Sequence, residues 1–83
     1  MFSIPVYVGL DYHQDSVQAC VVDQNGRVLS NRAIANDVMA IEQAARRHGT
    51  PRRLAIEACC GAADLAERLA IERGLPVELA HPG

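Results

Sequence analysis

The chain contains no tryptophan, one phenylalanine and two tyrosines, so aromatics make up only 4% of its 83 residues. A core without aromatic bulk has to be built from aliphatic layers, and abundant Ala, Val, Leu and Ile supply them. Hydrophobic residues reach 49%, which excludes a disordered chain. An excess of one charge is missing too: 8 basic against 10 acidic side chains leave a formal net charge of −2. That balance gives no general attraction to nucleic acid. Any such contact needs a local patch, a metal ion, or basic segments elsewhere.

Cysteine is scarce, with Cys20, Cys59 and Cys60 the only 3. Adjacent Cys59 and Cys60 do not match zinc spacing, and an odd count does not fit a disulfide framework. Reduced thiols in a cytoplasmic protein are the expectation. The first five residues have neither the basic start nor the apolar core of a signal peptide. No apolar run approaches the length of a membrane span, so no membrane partner is expected. The chain also has no Gly-rich phosphate loop, no G-x-S-x-G and no H-E-x-x-H.

What is present begins with a short apolar run, Val6-Tyr7-Val8-Gly9-Leu10, that ends on Asp11. A second run of the same shape, Arg53-Leu54-Ala55-Ile56, ends on Glu57. Both read as strands buried on both faces. Side by side and parallel, they would bring Asp11 and Glu57 out at one end of a sheet, within reach of one ion. Alternatively, each acid only ends its strand and faces water.

Between these runs, residues 16–22 alternate with period two, placing Val17, Ala19 and Val21 on the better-buried side. Asn25-Gly26 signals a hairpin, because both residues tolerate positive φ. Residues 27–34 form the more polar return strand, as befits a sheet edge. Asn36 is the expected N-cap of a helix running to about His48, with Asp37 in its first turn. Val38, Ile41 and Ala45 share one stripe, and Glu42 pairs with Arg46 across one turn. Gly49 and Pro51 stop this helix. A strand over 52–58 follows. A second helix over 62–73 has Leu65 and Leu69 inward and Asp64 paired with Arg68. Gly74 closes it, and a last short strand covers 75–80.

The order is therefore β-β-β-α-β-α-β: an antiparallel meander followed by right-handed parallel crossovers. This α/β class, with strand one beside strand four, is the start of a ribonuclease H-like mixed sheet. Residues 1–83 fit one small domain of marginal stability. No helix follows the last strand, so the domain is expected to be incomplete, with one sheet face under-covered.

Strand-end carboxylates repel each other unless a cation lies between them. Mg²⁺ suits such oxygen ligands, with Mn²⁺ as a substitute, and supports phosphodiester cleavage or strand transfer. Asp11 and Glu57 are the candidate catalytic and metal-binding residues; Asp15 is a weaker third. His13 is either a phosphate contact or a solvent-exposed turn residue. Gly9 allows either close approach of a ligand or packing against a helix. Cys59 and Cys60 could be reactive thiols near a metal, but read better as small buried residues packing a strand–helix turn. Arg46, Arg47, Arg52 and Arg53 could grip a phosphate backbone or simply be solvated.

The segment Tyr7-Val8-Gly9-Leu10-Asp11-Tyr12-His13-Gln14-Asp15-Ser16 resembles the opening of the IS110 family of transposases. Ala55-Ile56-Glu57-Ala58-Cys59-Cys60-Gly61-Ala62 resembles that family's second motif, and Leu79-Ala80-His81-Pro82-Gly83 its strand ending near a proline. The resemblance implies the N-terminal part of a DEDD-type transposase or recombinase acting on DNA. Asp11 and Glu57 would be the first two acids of a Mg²⁺-binding tetrad whose two aspartates lie beyond this chain. It further implies a homo-oligomer in the full-length protein and, in some members, a partner guide RNA. By truncation, the 83 residues alone would be inactive. Two alternatives stand beside this reading. One is an actin- or sugar-kinase-like nucleotide-binding domain, although the turn Tyr12-His13-Gln14-Asp15 lacks the expected glycines. The other is an inactive truncated copy with no catalysis of its own.

Overall fold

The centre of the molecule is β1 (Pro5–Tyr12), the middle strand of a five-stranded sheet in a computed structural model that describes residues 3–81. Met1, Phe2, Pro82 and Gly83, which begin the lead-in and end the closing segment, lie outside the described residues. β1 pairs antiparallel with β2 (Ser16–Asp23), and β2 antiparallel with β3 (Val28–Ala35). The helix α1 (Val38–Arg46) carries the chain back to β4 (Thr50–Glu57), which lies parallel to β1 on its other side. The helix α2 (Ala62–Arg73) leads to β5 (Val77–Ala80), parallel to β4. The sheet order is β3-β2-β1-β4-β5, a mixed α/β arrangement. Among the described residues no helix is long and apolar enough to cross a membrane.

The strands β1 and β4 are not buried on both faces. Val6, Val8 and Leu10 of β1 are buried while Tyr7, Gly9 and Asp11 are exposed; Leu54 and Ile56 of β4 are buried while Arg53 and Glu57 are exposed. One sheet face holds both helices and the other is open. Their near-continuous apolar sequence hid this, because Gly9 and Ala55 are too small to reveal which side faces water. The covered face is one core: Val6, Val8, Leu10, Val17, Ala19, Val21, Leu54 and Ile56 from the sheet meet Val38, Ile41 and Ala45 of α1 and Leu65 and Leu69 of α2. The stripes at helical spacing and the alternation in β2 therefore point where the sequence placed them.

Local chemistry sets the element ends, with several departures from expectation. Asp37, not Asn36, caps α1: its carboxylate accepts from the Ala40 N–H at 3.1 Å. α1 stops at Arg46, before His48. Gly49 adopts no positive φ and so is no left-handed helix terminator. Its role is packing, since a Cβ there would overlap the Ile4 carbonyl oxygen, which accepts from the Thr50 N–H at 2.7 Å. Gly74 does end α2 in the left-handed conformation, φ 64°. In the β2–β3 hairpin only Gly26 takes positive φ, and the Asp23 carboxylate accepts from the Asn25 and Arg27 N–H groups. Arg68 pairs with Glu72 at 3.1 Å rather than with Asp64, one turn on instead of one turn back.

Candidate functional site

The register of β1 and β4 is fixed by their pairing, Gly9 opposite Ala55 and Leu10 opposite Ile56. The next residue on each strand is the acid, Asp11 and Glu57. Neighbours in register point to the same side, so both carboxylates stand at the C-terminal edge of the open face, exposed to solvent. Asp11 is flanked by Gln18 of β2 and Glu57 by Ala80 of β5. The sequence-derived pair is thus brought to one edge by tertiary structure.

The other proposed groups fall around this edge unequally. His13 is exposed, and its Nε2 lies 3.5 Å from Asp11 Oδ2, a contact the turn itself imposes. Asp15 is exposed in the turn and makes no ion pair among the described residues. The Tyr12–Asp15 turn is held from outside: Asn36, displaced from its expected capping role, donates its side-chain amide to the carbonyls of Gln14 (3.2 Å) and His13 (3.4 Å). Gly9 packs against no helix; a Cβ there would meet nothing within 4 Å. It forms the floor of a shallow apolar trough of about 310 Å³ on the open face, beside Cys20, Val22 and Ala55.

The arginines do not form one phosphate-gripping patch. Arg46 is committed to Glu42 at 3.1 Å and Arg53 to Glu78 at 3.3 Å, on opposite sides of the sheet.

Cysteine is where the sequence reading is most clearly corrected. Cys59 and Cys60 are exposed, not buried packing residues. They line a groove of about 550 Å³ with Gly61 on one wall and Tyr12, His13 and Gln14 on the other. Gly61 leaves β4 for α2 with φ 90°, and a Cβ there would overlap the Tyr12 hydroxyl. Gly61 turns the chain from β4 into α2, and both thiols ahead of it are exposed. The glycine ahead of a helix was the signal in sequence; the exposure that follows from it was not.

No protein-family profile and no curated protein matches the chain. Solved structures do resemble it. The Aquifex aeolicus PPX-GPPA enzyme superposes with a TM-score of 0.52 at 15% identity, covering 95% of this chain and 36% of that one. The type II variant of the Aquifex aeolicus Ppx/GppA phosphatase gives the same values, 0.52, 15%, 95% and 36%. The chain therefore spans little more than a third of the length of these structures. At such identity the likeness is one of fold.

Proposed function

We propose that this chain is the first part of a RuvC-like, IS110-type transposase domain acting on DNA. Asp11 and Glu57 supply half of its Mg²⁺-binding acids. One observation carries the reading: the acids of two separate motifs directly follow the paired residues Leu10 and Ile56 on adjacent parallel strands. The donors fit a hard cation, which is commonly held by one or two carboxylates with water completing the shell. Among the described residues no three His, Cys, Asp or Glu side chains gather in a group that could hold a metal ion, although His13 lies beside Asp11. Further acids would come from outside this chain.

When bound, such an ion supplies charge stabilisation to the oxygens of a phosphodiester under attack. The chain's own part is to hold the carboxylates at fixed spacing on strand ends. The groove beside them, between Tyr12–Gln14 and Cys59–Gly61, would receive a sugar-phosphate segment.

The test is an amide NMR spectrum titrated with Mn²⁺, for the chain and for Asp11→Asn. Broadening confined to the surroundings of Asp11 and Glu57, and lost in the variant, is the expected result. No local broadening in a well-dispersed spectrum removes the metal site from this chain.

The likeness to Ppx/GppA structures favours a second reading, a nucleotide- or phosphate-binding domain of the actin and sugar-kinase type. The same groove would then cradle phosphate, although its Tyr12-His13-Gln14 wall offers no glycine for close backbone approach. Saturable ATP binding in calorimetry, weakened by His13→Ala in the groove, supports this reading over the first.

A further inference from the structure

Cys59 and Cys60 are consecutive, exposed, and open into one groove. Neither has a packing role there, and the reading above gives them no task. The third thiol, Cys20, is half-buried on the open face, between Gly9 and Asn31 in register. Acidic residues flank the groove-lining segments in sequence. Asp11 precedes Tyr12, Glu57 ends β4 two residues before Cys59, and Asp64 lies in the first turn of α2. No arginine, aspartate or glutamate lines the groove itself, and His13 does.

We propose that Cys59 and Cys60 form a modification site for small disulfides, cationic ones above all, and that the adduct fills the groove between them and the Tyr12–Gln14 turn. One of the two thiols, as thiolate, attacks a sulfur of the disulfide RS–SR. A protein S–S–R bond forms and the RS–SR bond breaks. The protein sulfur is oxidised, and the departing RS⁻ is reduced and takes up a proton. Excess reduced thiol reverses the step. Two adjacent thiols double the chance of capture, and exposure sets which cysteine of the chain reacts. The surrounding carboxylates draw in a cationic reagent and repel an anionic one. The exchange itself needs no metal at Asp11 and Glu57, and the charge preference belongs to the metal-free chain.

The experiment treats the reduced chain with cystamine, which is cationic, or with oxidised glutathione, which is anionic. Intact-mass spectrometry and peptide mapping follow the adduct, beside Cys20→Ser and Cys59→Ser/Cys60→Ser. Reaction in the 59–60 peptide should outpace Cys20 by about an order of magnitude and be lost in the double variant. Cystamine should react several-fold faster than glutathione disulfide, with the gap shrinking as salt is added. In the adduct, amide signals of Tyr12, His13 and Gln14 should move together with those around Cys59, and reduction should restore them.

Comparable labelling of Cys20 overturns the site. Shifts confined to the Cys59 side overturn the filling of the groove, and equal rates for the two reagents overturn the charge preference. The Mn²⁺ titration above is read on the reduced chain alone, so failure of the metal reading is scored separately.

Discussion

Arg73, in the last turn of α2, reaches Glu42 in the middle of α1: its Nη2 and Nε lie 2.6 and 2.7 Å from the same carboxylate oxygen. The second oxygen of Glu42 takes Arg46 at 3.1 Å. One half-buried carboxylate thus ties together two helices that otherwise meet through apolar contacts.

The Arg73 guanidinium holds the Glu42 carboxyl below its ordinary range; partial burial opposes this and Arg46 adds to it. A lowered folded pKa contributes stability that is present above the unfolded glutamate value and is lost as pH falls through the folded one. Thermal melts should therefore show an acid-side loss that Glu42→Gln diminishes, with little further change near neutral pH. An unchanged acid limb in the variant would show that Glu42 carries none of it.

Asp37 and Asn36 should separate cleanly on substitution. Asp37→Ala removes the α1 cap and should cost about 1 kcal/mol in urea unfolding. Asn36→Ala leaves the cap in place and frees the Tyr12–Asp15 turn, so it should shift the amides of His13 and Gln14 with a smaller loss of stability. The opposite ranking would return the cap to Asn36.

Asp11 and Glu57 are like charges at neighbouring strand ends. In metal-free buffer at low salt, Asp11→Asn or Glu57→Gln should raise stability by about 0.2–1 kcal/mol. The double variant should gain less than the sum, because the first substitution already removes the repulsion. Additive effects would mean that the carboxylates do not sense each other.

Gly49→Ala places a methyl group against backbone, the Ile4 carbonyl, and not against a side chain that can rotate away. Overpacking of this kind costs about 1–3 kcal/mol. Equilibrium unfolding should show that loss, whereas Gly9→Ala, which meets open space, should change little.

Much of the fold was legible along the chain because its signals are local. The alternation in β2, the stripes Val38-Ile41-Ala45 and Leu65-Leu69, and the left-handed stop at Gly74 each depend on residues within a turn or two. Glu57 was legible as a strand end, whereas β1 runs one residue past Asp11, to Tyr12. Local pattern was less able to choose between equivalent neighbours. Asn36 and Asp37 are both good caps, and Arg68 had a glutamate or aspartate one turn away on either side.

The sequence by itself determined the order of elements, the apolar faces of the helices and the positions of Asp11 and Glu57 at the ends of apolar runs. Those follow from periodicity and turn chemistry. The tertiary structure alone decided that these runs are covered on one side only, that Gly9 floors an open trough, and that Cys59 and Cys60 face solvent. It also decided that Gly49 serves a contact with Ile4 and that Glu42 answers to Arg73, 31 residues away. Each of these depends on which elements become neighbours in space. Register between separate strands and the packing of helices on one sheet face set that, and no short stretch of sequence encodes either.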